Sequence, residues 1–428
     1  MPAKRTVRQA IAVGAIVAVI AATLLIVSQS ALGTAPVPGP WERKKLMEIP
    51  AYSYAPDYDA AGGVKAIFYE GLPYEGKPTK VFAYVGMPDL HPGEDGVPAV
   101  VLVHGGAGTA YADWVKKWND RGYAAIAMDL EGHLPLWDEQ TRSYKPHEGG
   151  GPNNQPVWQD IGKPEKEQWT YHAVADTALA HSLLRSLPGV DPGRVGIVGV
   201  SWGAVLTEIA VGIDDRFRFA VVVYGSGFVA ESESYFGDAY RSWPREMQER
   251  FERLWEPAAY LRRAKLPMLW VNGDNDGHFP LTVFTKSYEV AKPDSVLSIH
   301  PGMPHNQEEA VRPPEIYAFA DSIVSGSAPL ARIVRHERDA DVRRVTVAME
   351  LDSPEPIVRA EFYYTLNVSD RLSPVWNKIV VDLPAYAGLR PRIEAELPAQ
   401  AKAYYGNAID ARGYIVSTGL TDVAGRSP

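Results

Sequence analysis

A serine lodged between a strand and a helix restricts this chain more than any other feature. Val195–Val198 is a short apolar run, Gly199-Val200-Ser201-Trp202-Gly203 follows it, and helical spacing begins at Trp202. On such a sharp turn the serine hydroxyl projects from the edge of a sheet, and the glycines two residues to either side let strand and helix pack closely. The turn demands strand and helix in succession, and the flanking sequence provides both. Lys80–Gly86 alternates like a half-buried strand; Ala99–Val103, Tyr123–Met128, Ala220–Val223, Pro267–Val271 and Val296–His300 are continuous apolar runs suited to buried strands. Helical patterns over Ala110–Arg121, Tyr171–Leu187 and Pro314–Val324 are interleaved with them. This rhythm predicts an α/β fold, a mainly parallel sheet covered by helices on both faces.

The chain has 428 residues, more than one core usually organises, since single cores stop growing near roughly 250–300 residues. Two folded units are therefore expected, residues 34–329 and residues 330–428. In the second, Val345–Leu351, Ala360–Leu366, Trp376–Val381, Arg392–Leu397 and Tyr414–Ser417 read as strands without helices between them, the pattern of a small β-sandwich. Tyr404 and Tyr405 there are either exposed rings for a polysaccharide or packing residues against the first unit. Leu130–Glu167 is polar and rich in Gly, Pro and Asn, and is expected to be a long loop inserted on the substrate side. Tyr235–Arg263 reads as helical cover. Ahead of both units, Lys4, Arg5 and Arg8 precede the apolar run Ile11–Val27, and small residues and a Pro-rich linker follow. Residues 1–33 thus read as an export segment, either a cleaved signal peptide or a retained membrane anchor, with the folded part outside the cytoplasm.

Composition removes several kinds of chemistry. With 0 cysteines there is no disulfide, thiolate metal site, cysteine nucleophile or lipid-modified cysteine. A formal net charge of -9 offers no broad cationic field, which argues against a nucleic acid partner.

Ser201 needs an imidazole to take its proton, and the imidazole needs a carboxylate to hold its tautomer. In a sheet of this kind, ligands bind beyond the carboxyl ends of the strands. After Pro267–Val271 comes Asn272-Gly273-Asp274-Asn275-Asp276, and after Val296–His300 comes Pro301-Gly302-Met303-Pro304-His305. Asp276 is preferred as the acid because Asp274 sits in the tight turn, where it can cap the loop. His305 is preferred as the base; His300 falls inside the strand, and His278 is too near the acid for more than pocket lining. An anionic intermediate requires fixed backbone donors. His104-Gly105-Gly106-Ala107-Gly108, directly after a buried strand, supplies one, assigned to Gly106 over its neighbour Ala107; the amide of Trp202 supplies the other. His104 reads as a structural hydrogen-bonding residue.

With these motifs in this order, residues 81–324 resemble the dienelactone hydrolase and acetyl xylan esterase branch of the α/β-hydrolases. The shared phrases are His104-Gly105-Gly106, Arg121-Gly122-Tyr123-Ala124, Gly199-Val200-Ser201-Trp202-Gly203, Val271-Asn272-Gly273 and Pro301-Gly302-Met303-Pro304-His305. The resemblance implies an α/β-hydrolase fold and a secreted serine esterase that removes acyl groups, often acetyl, from a small ester or a polysaccharide. It also implies that no metal or organic cofactor takes part. Dienelactone hydrolases proper carry a cysteine where Ser201 stands, which argues against their substrates. A prolyl oligopeptidase-like serine peptidase is the alternative enzyme, and a non-catalytic glycan-binding protein of the cell envelope the alternative outside enzymes.

Overall fold

The computed structural model describes residues 39–89, 96–154, 158–291, 294–340, 344–370, 372–384 and 388–423. The N-terminal export segment expected from the sequence lies outside the described residues. Among the described residues no helix is long and apolar enough to cross a membrane.

Eleven strands precede residue 330: β1 (Tyr52–Tyr54), β2 (Lys65–Glu70), β3 (Lys80–Gly86), β4 (Val97–Val103), β5 (Ala124–Met128), β6 (His133–Asp138), β7 (Ser143–Pro146), β8 (Val190–Val200), β9 (Ala220–Val223), β10 (Met268–Gly273) and β11 (Val296–His300). Nine of them form one sheet in the order β1-β2-β3-β5-β4-β8-β9-β10-β11. From β5 to β11 every pairing is parallel, whereas β1, β2 and β3 join antiparallel at one flank. Where helices cover both faces the parallel strands are apolar; Ala99–Val103 and Ala220–Val223 are fully buried. One face packs on the helices Trp169–Ser186 and Trp202–Ile213, the other on Ala112–Asn119 and Pro314–Val324.

The structure corrects one sequence expectation in this part and adds two strands to it. Leu130–Glu167 is not one structureless loop: β6 and β7 form a two-stranded antiparallel hairpin within it. Ahead of Lys80, where no strand was expected, β1 and β2 extend the sheet.

After residue 330 come β12 (Arg332–Ala340), β13 (Arg344–Asp352), β14 (Ile357–Thr365), β15 (Asn377–Asp382), β16 (Arg392–Pro398), β17 (Ala403–Asp410), β18 (Ile415–Ser417) and β19 (Thr421–Asp422). They make two antiparallel sheets, β12-β13-β16 and β15-β14-β17-β18, with β19 also paired to β17. Val347, Met349 and Ile393 of the first sheet share a core with Phe362, Tyr404 and Ala408 of the second, which is the packing of a β-sandwich. This region lies against the flank of the large sheet at β11. There the Ile299 N–H donates to Ser417 Oγ (2.7 Å) and Asn407 Nδ2 donates to the Ile299 carbonyl (2.9 Å). Tyr404 and Tyr405 are both fully buried, so the reading of them as packing residues holds and the exposed-ring reading falls.

Candidate active site

At the carboxyl end of β8 the chain turns into the helix Trp202–Ile213 through Ser201, whose φ of 56° is in the left-handed region that few side chains adopt. Two glycines make the turn sterically feasible: a Cβ on Gly199 would lie 2.2 Å from the Gly203 carbonyl oxygen, and one on Gly203 would lie 2.0 Å from that of Val103. The Ser201 N–H donates to Val223 O at 2.9 Å, tying the turn to β9. The strain at Ser201 is thus held by the sheet on one side and the helix on the other.

The loops after β10 and β11 bring Asp276 and His305 to this serine. His305 Nε2 lies 2.9 Å from Ser201 Oγ, and His305 Nδ1 lies 2.7 Å from Asp276 Oδ2. A carboxylate only accepts, so Nδ1 carries the proton and Nε2 is left to accept from the serine hydroxyl. Asp276 Oδ1 accepts from the N–H groups of His278 (2.8 Å) and Phe279 (2.9 Å), which fixes the carboxylate beneath the ring. The acid is almost wholly buried, while the imidazole keeps 19% of its surface exposed, enough to reach a bound molecule. The rings of Tyr224, Phe279 and His278 surround it at 4.1, 6.1 and 4.6 Å between centroids. Tyr224 Oη also donates to the Asn306 carbonyl, next to His305.

The loop after β4 faces the serine from the other side. The amides of Gly106 and Trp202 have no partner among the described residues, the first in the glycine loop and the second at the start of a helix, where backbone donors are left unpaired. The Ala107 amide, by contrast, donates to Glu131 Oε1 at 2.8 Å. Ala107 has a φ of 56°, and this bond holds it there. His104 is buried behind the loop; its Nε2 accepts from the Leu130 N–H at 3.0 Å, and burial lowers its pKa to about 4, so it stays neutral. Glu131 and its neighbour Asp129 are buried together. Desolvation raises both to about 7, with the charge of Asp129 adding to the effect on Glu131.

Next to Ser201 in sequence, Trp202 lines a narrow cavity together with Trp158, Val229, Phe236, His278 and Phe279. The indole of Trp202 packs edge-on against Trp158 (4.6 Å), Trp169 (5.7 Å) and Phe236 (5.3 Å), so the wall is rigid as well as apolar. Glu131, Trp158, Phe236 and Tyr224 escaped sequence reasoning. Glu131 follows a strand end, a position where functional residues gather, but nothing local to Trp158 or Phe236 distinguishes a pocket ring from a core ring.

Residues 139–305 match the prolyl oligopeptidase family, a stretch that holds Ser201 and Asp276 and ends on His305. The fold is similar to that of the acetyl xylan esterase from Paenibacillus sp. R4, with a TM-score of 0.52 and 19% identity, covering 66% of this chain and 92% of that one. The chain has the α/β-hydrolase fold. This chain is 25% identical over 199 residues to the uncharacterized peptidase YuxL of Bacillus subtilis strain 168, covering 44% of this chain and 27% of YuxL. It is 24% identical over 224 residues to dipeptidyl-peptidase 5 of Aspergillus oryzae strain RIB 40, covering 49% of this chain and 28% of the relative. The chain therefore spans less than a third of the length of these curated relatives.

Proposed function

We propose that this α/β-hydrolase is a serine esterase that removes short acyl groups, such as acetyl, from a carbohydrate or a related alcohol outside the cytoplasm. The observation that carries the reading is the unbroken line from Asp276 through His305 to Ser201, with bonds of 2.7 and 2.9 Å. Ser201 Oγ attacks the ester carbonyl while His305 Nε2 takes its proton; the alcohol leaves with that proton, and water then repeats the sequence on the acyl-serine. Asp276 orients the imidazole and balances its transient charge. The Gly106 and Trp202 amides receive the anionic oxygen, donors worth about 100- to 1000-fold in rate each in other serine hydrolases.

The narrow ring-lined cavity favours a small acyl group, because each extra methylene in a rigid apolar pocket has to displace packed side chains. The basic residues Lys4, Arg5 and Arg8 ahead of the run Ile11–Val27 support export. The esterase named among the similar structures accords with this reading. A peptidase is the second reading, favoured by the family match over residues 139–305.

Purified full chain assayed on p-nitrophenyl acetate and acetylated glycans, beside a panel of dipeptide and acylated amino acid nitroanilides, separates the two. Esterase activity that disappears in Ser201→Ala supports the proposal. Cleavage of the anilides in preference to the esters would replace it with the peptidase, and equal ester turnover by Ser201→Ala would remove Ser201 from the reaction.

A further inference from the structure

Asp274, set aside above as the acid, occupies an unusual position for a loop-capping residue. It is buried, and its polar atoms are engaged by three separate parts of the chain. Oδ1 accepts from the Gly302 N–H at 2.7 Å, within the loop that carries His305. Oδ2 accepts from Tyr405 Oη at 2.8 Å, in β17 of the C-terminal sandwich. Its carbonyl oxygen accepts from Trp376 Nε1 at 3.0 Å, just ahead of β15. The sandwich side of this junction is itself stiff: the Tyr405 ring stacks on Tyr363 at 4.8 Å with a 7° angle between planes, and the Trp376 ring meets it edge-on at 5.1 Å. Asp274 stands two residues before Asp276, and Gly302 three before His305, so one carboxylate joins the two loops that must hold the acid and the base in register.

We infer that Asp274 is a positioning residue for the proposed reaction, and that the C-terminal sandwich serves that reaction by holding Asp274 through Tyr405 and Trp376. The inference rests on the reading of Ser201, His305 and Asp276 as the reacting group. Without the Asp274 carboxylate, the acid loop and the histidine loop lose their shared bond. The imidazole then drifts from the geometry in which Nε2 meets Ser201 Oγ at 2.9 Å. Misplacements of about 1 Å in a reacting group cost on the order of 100-fold in rate.

The test uses the full chain with p-nitrophenyl acetate and, independently of any substrate, the rate at which a fluorophosphonate labels Ser201. Asp274→Ala is expected to lower kcat and the labelling rate by about 100-fold with KM within about threefold, and Tyr405→Phe by about tenfold. Asp274→Asn recovers most of the rate, because its amide can still accept from Gly302 and donate to Tyr405 Oη. Thr285→Val removes a different junction bond, the one that Thr285 Oγ1 accepts from the Leu420 N–H; it is expected to lower the melting temperature and leave kcat unchanged. Should Asp274→Ala not fold, Tyr405→Phe carries the test alone. Wild-type kcat and labelling in Tyr405→Phe, or a loss in Thr285→Val as large as that in Tyr405→Phe, would overturn the inference. A wild-type chain that neither turns over ester nor reacts with the probe defeats the underlying reading of Ser201 and this inference with it; a reactive wild type with indifferent variants defeats this inference alone.

Discussion

Glu131 takes the hydrogen bond of the Ala107 amide at 2.8 Å, and so decides which amide of the glycine loop stays free. The neighbouring Gly106 N–H is left without a partner among the described residues, and it is the donor assigned to the anionic oxygen.

Removing this bond should therefore disturb the loop without touching a reacting group. Glu131→Ala is expected to lower kcat for p-nitrophenyl acetate by about 10- to 100-fold, less than the loss of a direct donor. Glu131→Gln keeps an accepting oxygen and should stay within about fivefold of wild type by the same reasoning. Steady-state kinetics on the two variants checks the difference, and identical rates would detach Glu131 from the loop's function.

The same pair of variants has a pH signature in stability. Burial and the charge of Asp129 raise Glu131 from its ordinary 4.5 to about 7 in the folded chain. Between those values the unfolded state gives up a proton that the folded state keeps, so stability from this residue falls as pH rises through the window, and the deficit is complete above about 7. Glu131→Gln has no proton to lose. Its stability relative to wild type should rise by roughly 1–3 kcal/mol between pH 5 and pH 8. Urea unfolding at the two pH values measures this, and a flat difference would show that Glu131 ionises normally.

Asp276→Asn leaves a neutral amide against His305 Nδ1, which favours the tautomer with the proton on the wrong nitrogen. A fall in kcat of about 1000- to 10,000-fold is expected, with KM little changed. Activity near wild type in this variant would point to a different acid.

Trp158 lines the narrow cavity that Trp202 and His278 also line, with its ring 4.6 Å from that of Trp202. Wild type should prefer acetate to hexanoate esters, and Trp158→Ala should reverse or flatten the preference, since each methylene in such a pocket is worth about 1–3 kcal/mol. A series of p-nitrophenyl esters of rising chain length reads this directly. An unchanged profile would place the acyl group elsewhere.

The serine turn was legible because its requirements are local: two glycines, an apolar run before them and helical spacing after. Asp276 and His305 could be chosen because strand order dictates where such loops emerge, even though 29 residues separate them in sequence. The large sheet was legible for the same reason as its strands, whose burial on both faces leaves nearly unbroken apolar runs. What could not be read depends on contacts between distant segments. β1 is three residues long and exposed throughout, and β6 and β7 are short and interrupted by Pro135 and Pro146, so none of the three stands out by hydropathy; β2 does carry the apolar run Ala66–Tyr69, which was legible. Tyr404 and Tyr405 alternate faces on β17, yet both are buried, because the sandwich core covers one and the α/β unit covers the other. The bond between Tyr405 and Asp274 spans 131 positions, a separation at which no spacing rule applies.

The junction at Ile299 has a consequence for how copies of this protein meet. A strand at the end of a sheet ordinarily presents vacant donors and acceptors on which a second chain can lay its own strand and continue the ladder. Here a serine and an asparagine from the neighbouring sandwich occupy the backbone groups of Ile299. Growth from that flank is blocked at the β11 end, and self-association by strand addition has to start elsewhere on the molecule.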